Sequence, residues 1–496
     1  MAVALQDYPS SGARPSQTTQ TLHGGSDIKA RRNARQPEAA ARPVRFRTAV
    51  LRAASWSLGG YVALQFLRIA SSLVLTRLLV PEMFGIMAVA TLVQVAVAML
   101  SDLGLRPAAI QSRHGDNETY LNTAWTVQFI HGVVIWLVCV MIAGMIATAS
   151  SLALLPTGSV YAEPALPAVI AVLCFSAVIS GLQSTRIITA FRTLSLGRVT
   201  AIELAAQTVS LAVAVVLAWQ TGSIWSFVVA ALCSAAVSSC LSFLWLPGFP
   251  NRFALDREAV VDLARFGKWV LLSSAFTVLA ANGDKLLLAV WISPAMLGLY
   301  VLAFNLVAML EGAGNRLFSS VAIPALSRVY REEPDRLPTM FNRLRLPFDI
   351  AFIAASAALM VAGKDLIDLL YDDRYGGAAY MLEVLAFGLL IARYGVIANV
   401  YLAIGQPRLL TILNFLRSLS LFTFVPLGYA IFGIEGALWG VALHALPGVV
   451  ALWFLNRRLR LNSLKTELIA LLSWPIFYLI GKLSLQILSS LTTGTA

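Results

Sequence analysis

The chain has 496 residues, 58% hydrophobic and only 12% charged, with a mean hydropathy of +0.77. A soluble domain is typically about 45–50% apolar and about 25% charged, so too little polar surface remains here to cover a water-soluble globule, and lipid must be the main solvent. The net charge of +12 would suggest a nucleic-acid partner in a soluble protein; here the placement of the charge decides.

Residues 1–53 are polar and arginine-rich, lack the apolar run of a secretory signal, and read as a disordered basic cytoplasmic tail. Thirteen apolar segments of spanning length follow, at 54–79, 83–104, 121–148, 165–186, 199–219, 223–246, 268–292, 296–320, 346–369, 378–402, 408–431, 434–456 and 467–489. The last is interrupted by Pro475, Gly481 and Lys482. With the N-terminus inside, the tail and the loops near 105–120, 187–198, 247–267, 321–345, 403–408 and 457–466 hold 28 of the 37 Lys and Arg, counting Arg186 and Lys268 at helix edges. The other side has Arg374 in a loop, with Lys364 nearby. That asymmetry predicts a multi-pass inner-membrane protein with a cytoplasmic N-terminus, and it accounts for the basic charge without nucleic acid. The longest outside loop, near 149–164, carries Glu163 and no base, which leaves no room for an extracytoplasmic catalytic domain.

Two stretches echo each other. PEMFGIMAV (Pro81–Val89) followed by VAML (Val97–Leu100) matches PAMLGLYVL (Pro294–Leu302) followed by VAML (Val307–Leu310). In each, a proline opens a helix after a tight turn and a glycine four residues later permits close helix approach. Six segments separate the copies, so both keep one orientation, as in a parallel repeat about the membrane normal. The predicted fold is all-α and polytopic: a six-helix lobe at 54–246, a cytoplasmic linker at 247–267, a second six-helix lobe at 268–456 around a central cavity, and an extra C-terminal helix within 457–496.

Intramembrane charge marks the candidate site. The deepest cations are Arg68, Lys285, Arg316, Arg393 and Arg417. At about 2.5–3.5 kcal/mol each, dry burial of all five would cost on the order of 12–18 kcal/mol, comparable to a whole protein's net stability. Snorkelling serves Arg316 and Arg417 better than Arg68, which lies mid-helix. Ser57, Tyr61, Gln65, Arg68, Ser72 and Thr76 recur at helical spacing as one polar stripe, and Gln94 adds to it from the second segment. Gln65, Ser72 and Gln94 are therefore expected to line the cavity. Asp284, Asp102, Glu203 and Glu311 are the acids expected to couple an ion. Asp284 and Lys285 are adjacent, project about 100° apart, and are not expected to neutralise each other directly. Arg393 could instead serve as an inter-helix strut with Glu383, and Glu311 with Arg316. An excess of cations favours an anionic passenger, and Arg suits phosphate through bidentate hydrogen bonds.

No nucleotide loop, nucleophile elbow or zinc motif is present, and Cys139, Cys174, Cys233 and Cys240 lie in apolar runs without metal-ligand spacing. The reading is of a non-enzyme without cofactor or metal.

LTRLLVPEMFGIMAVA (Leu75–Ala90), SDLGLRPAAIQ (Ser101–Gln111), GDKLLLAVWISPAMLGLYVLAFNL (Gly283–Leu306) and IPALSRV (Ile323–Val329), in that order, resemble the polysaccharide transporter family. These are the Wzx-like flippases of the multidrug/oligosaccharidyl-lipid/polysaccharide exporter superfamily. The resemblance spans roughly residues 50–460. It implies alternating access and flipping of an undecaprenyl-pyrophosphate-linked oligosaccharide for exopolysaccharide, capsule or O-antigen synthesis, alongside a polysaccharide polymerase and export proteins. By position, Arg68, Asp284 and Lys285 best match such a family's cavity residues; the long basic tail departs from its compact start. The competing readings are a membrane polysaccharide polymerase or ligase, and a multidrug exporter of the same superfamily.

Overall fold

The computed structural model describes residues 42–100, 117–193, 195–261, 279 and 281–493. The chain divides into Met1–Ala54 and Ser55–Ala496. Of the first unit the backbone from Arg42 is described, and it is helical, so the expected disordered tail is a helix over its last dozen residues; residues 1–41 lie outside the described residues.

In lipid every backbone polar group must be satisfied within the protein, and the described residues meet that demand with helices. They are α1 (Arg42–Leu78), α2 (Pro81–Leu100), α3 (Glu118–Ser151), α4 in three pieces (Leu166–Leu173, Phe175–Gly181 and Arg186–Arg192), α5 (Leu196–Thr221) and α6 (Trp225–Leu244). The second half has α7 (281–291), α8 (Pro294–Glu332), α9 (Leu337–Leu370) and α10 (Ala378–Ile397), then Pro407–Leu443, Leu446–Arg458 and α13 (Leu464–Thr493). Sequence sets the ends. Ser293 accepts from Met296 N at 3.3 Å ahead of Pro294 at the start of α8, Asn117 caps α3, and α5 stops at Gly222 in the left-handed region.

Among the described residues ten helices are long and apolar enough to span a membrane, or eleven if the bent α4 counts as one. The 52-residue stretch Pro407–Arg458 counts as one of these, yet it is more than twice the length that a crossing needs. Its backbone turns at Gly433 (φ 64, ψ −143). On either side of that turn, Gly428 lies against the Gly436 carbonyl and Gly440 against Phe424, an antiparallel register. We call the arms α11 (407–432) and α12 (434–458, stepped near His444). Pro475 is carried inside an unbroken α13, so the expected interruption of that segment does not occur.

Segment 4, expected over 165–186, is helical only to Gly181, and the expected loop beyond it holds a further helix, Arg186–Arg192, bent by 63° from the first part. Carbonyls freed by such a break need donors inside the protein, and α3 and α6 supply them. Gln128 Nε2 donates to Gly181 O and Gln183 O, both at 3.0 Å, Trp125 Nε1 to Leu182 O at 3.1 Å, and Ser239 Oγ to Ile179 O at 2.7 Å.

The repeat read from the sequence meets itself in space. A side chain on Gly85 would strike the Pro294 carbonyl, and one on Gly298 would strike the Pro81 carbonyl. Each copy's glycine thus faces the other copy's proline, a local two-fold crossing of α2 and α8 where both helices begin.

α13 is tied to the second half by buried charge. Arg345 Nε meets Asp349 Oδ2 at 2.7 Å, and Arg345 also pairs with Glu467. Arg393 bonds Glu467 at 3.2 Å and lies 3.1 Å from Asp349 Oδ1, in ionic contact without hydrogen-bond alignment. Tyr394 donates to Glu467 at 2.7 Å. Two cations and two acids cancel, which lets Arg345, Arg393 and Asp349 sit at 2%, 1% and 0% exposure. Removing one partner strands a buried charge, a loss of about 3–5 kcal/mol. Glu467→Ala should therefore lower the melting temperature of purified protein sharply, whereas Lys482→Ala, on an exposed face of the same helix, should not.

Candidate functional site: a polar seam between the halves

α1 and α8 run antiparallel along the boundary of the two halves, and two chambers follow each other down their seam. The first, of about 470 Å³, is lined by Tyr61, Gln65, Arg68 and Ser72 of α1, Leu302, Asn305 and Met309 of α8, and Tyr371. Arg68 is exposed in it, and Nη1 donates to Gln65 Oε1 at 3.3 Å, an uncharged partner. The second, of about 250 Å³, is lined by Gly60, Tyr61 and Leu64, Phe191 of α4, Leu196, Val199, Thr200 and Glu203 of α5, and Arg316 of α8. There the Arg316 guanidinium lies over the Tyr61 ring, 4.6 Å from its centroid.

The remaining expected site residues lie elsewhere. Asp284 and Lys285 are buried together, Nζ 3.2 Å from Oδ2, so the expectation that neighbours on a helix would not neutralise each other is corrected. The four-carbon lysine stem spans the angle between the two side chains, and the ammonium also sits 3.4 Å from the Phe304 ring centroid while Tyr300 donates its hydroxyl to Asp284. Arg393 is in the α13 strut, paired with Asp349 and Glu467 rather than with Glu383, and does not face either chamber. Arg417 donates from Nε to His444 Nε2 at 3.0 Å and lies 4.0 Å from Glu311. Because that nitrogen accepts, and Nδ1 meets Val441 O at 2.5 Å, His444 is the neutral Nδ1–H tautomer. Gln94 is spent within the first half, donating to Ser176 Oγ at 2.8 Å. Asp102 lies outside the described residues.

Sequence reasoning missed the contacts that close one end of the seam. The loop after α9 reaches from the second half to the first: Arg374 Nη2 donates to Thr76 O and Arg77 O, both at 3.3 Å, and Tyr375 donates to Leu79 O at 2.8 Å. Tyr161, in the loop after α3, donates to Leu286 O at 3.3 Å. The Gly85–Gly298 crossing lies at this same end. Arg374 stood out as the lone loop base on its side, a signal of this role that went unused. The opposite stretch of the seam holds both chambers.

The chain belongs to the polysaccharide biosynthesis protein family, whose model matches residues 74–379. It is 22% identical over 434 residues to the lipopolysaccharide biosynthesis protein WzxC of Escherichia coli K12, covering 86% of this chain and 84% of that one. Its fold is that of an inward-facing multidrug resistance MATE family transporter of the MOP superfamily (TM-score 0.62, 14% identity, 80% of this chain and 94% of the other). The lipid II flippase MurJ in an inward closed conformation is similar to the same degree (TM-score 0.61, 14% identity, 88% and 98%).

Within the latch, the hydrogen bond from Arg374 holds the Asp372 carboxyl below its ordinary value of 3.8. A depressed carboxylate stabilises the fold above its unfolded pKa and loses that contribution as pH falls through the folded one. Latch strength should therefore be unchanged between about pH 5 and 8. Arg374→Ala combined with Tyr375→Phe removes three cross-half bonds worth about 0.5–1.5 kcal/mol each. In a background without native cysteines, labelling of Leu79→Cys by a membrane-impermeant maleimide should rise at least about tenfold.

Proposed function

We propose that this protein flips a lipid-linked oligosaccharide repeat unit, carried on undecaprenyl diphosphate, across the cytoplasmic membrane by alternating access. The observation that carries the reading is the chamber at Arg68: a cation in a polar cavity between two halves, with neutral amides and hydroxyls around it and no acid among its lining residues. A guanidinium so placed fits a diphosphate better than a cationic drug. The lipid tail would stay in the bilayer while the headgroup passes along the α1–α8 seam. The family membership supports a sugar-bearing cargo destined for exopolysaccharide, capsule or O-antigen, and the flipped unit would pass to a membrane polymerase and export proteins.

Orientation follows from the basic loops. With the N-terminus cytoplasmic, the latched end faces outward and the chambers face the cytoplasm, where such a cargo is loaded. Asp284 and Glu311, each beside a cation in the second half, are the acids we assign to ion coupling. An elementary charge moved across the membrane contributes about 2.3 kcal/mol per 100 mV.

Arg68→Ala should leave insertion and folding intact but abolish polymer export in a complementation assay, whereas Arg68→Lys should retain part of it. Full export by the alanine variant refutes the assignment. In proteoliposomes the wild type should translocate a fluorescent lipid-linked oligosaccharide and not a cationic dye. Dye transport would mark a drug exporter; polymer formed without flipping would mark a polymerase.

A further inference from the structure

The second chamber differs chemically from the first. Glu203 places a carboxylate in it, Thr200 a hydroxyl, Arg316 a guanidinium, and Tyr61 and Phe191 two aromatic rings. A diphosphate would be repelled by Glu203, and a hydrocarbon tail would set apolar atoms against a carboxylate, a hydroxyl and a guanidinium. A polyhydroxylated neutral ring suits that lining: its hydroxyls donate to the carboxylate and accept from the guanidinium, and its C–H faces pack on the aromatic rings. We propose that this chamber is the subsite for the sugar portion of the cargo, with Glu203 and Arg316 reading its hydroxyls. The proposal rests on the flippase reading and divides that site into two chemistries.

The geometry makes the subsites neighbours. Tyr61 lines both chambers. Arg68 is seven residues further along α1, about 10 Å of helical rise, a separation suited to adjacent parts of one headgroup. Gly60 sets the floor, since any side chain there would strike Thr200 and push α1 from α5. Stacking on Tyr61 fixes the plane in which Arg316 presents its donors. Arg316 is also the lining residue that comes from the second half, so relative movement of the halves would dismantle the sugar subsite and release its occupant.

The test compares two probes on full-length protein in nanodiscs: the lipid-linked oligosaccharide accumulated by a strain lacking this gene, and sugar-free undecaprenyl diphosphate. Glu203→Gln should weaken binding of the sugar-bearing lipid about tenfold or more, the scale of a lost hydrogen bond to a charged group, and leave the sugar-free lipid unchanged. Phe191→Leu, at an exposed position, should weaken the sugar-bearing lipid alone and serves if Glu203→Gln does not fold. Arg68→Ala should weaken both. Equal weakening of both lipids by Glu203→Gln and Phe191→Leu, or no effect from either, overturns the sugar subsite. No effect of Arg68→Ala on either lipid overturns the anion site separately.

Discussion

The price of charge in a low-dielectric interior organises this protein. Each buried ionisable group must be neutralised by a partner or reached by water, and the structure solves the problem in both ways. Arg345 and Arg393 are cancelled by Asp349 and Glu467, and Lys285 by Asp284. Arg68 keeps an exposed head in the polar seam, hydrogen-bonded to the uncharged Gln65. The cluster around Asp349 and Glu467 uses its charge to hold helices together; Arg68 retains charge that can act on a cargo. Depth in the sequence does not separate the two groups, because Arg393 and Arg68 both lie well inside apolar segments.

Much of the fold was legible because its constraints are local and periodic. Spanning length, loop charge and proline-opened turns located the helices, and the Pro81–Gly85 and Pro294–Gly298 pattern marked a repeat whose copies prove to touch. What was not legible depended on partners distant in the chain. The break in α4 carries no proline or charge within it; it survives because Gln128, Trp125 and Ser239 on other helices meet its carbonyls. Arg345 was read as a loop residue, since α9 begins at Leu337, well before the apolar run. Its partner Glu467 is more than a hundred residues away.

The same limit explains the uneven reading of the site. The polar stripe of α1 was visible as a 3.6-residue repeat, and its members Tyr61, Gln65, Arg68 and Ser72 do share one chamber. Thr76 on that stripe is buried and bonds back to Leu73 O, because the stripe runs into the closed end. Asp284 and Lys285 illustrate the converse error. Helical geometry separates their Cβ directions, but a lysine stem is long enough to return to its neighbour when Phe304 and Tyr300 enclose both.

Closure at one end and cavity at the other are energetically matched. The latch comprises four cross-half hydrogen bonds, from Arg374, Tyr375 and Tyr161. At a net contribution of about 0.5–1.5 kcal/mol each, they hold the end shut by about 2–6 kcal/mol. Reversing a two-state population from 1:99 to 99:1 takes about 5.5 kcal/mol of differential binding. Under the proposed reading, a diphosphate at Arg68 and a sugar at Arg316 would supply a free energy of that order, provided their contacts differ between the two states. A latch built of buried ion pairs such as those around Glu467 would exceed that range and lock the transporter. Neutral backbone acceptors make the closed end firm enough to seal and weak enough to open, which is why the strong pairs lie inside one half and the weak ones lie between the two.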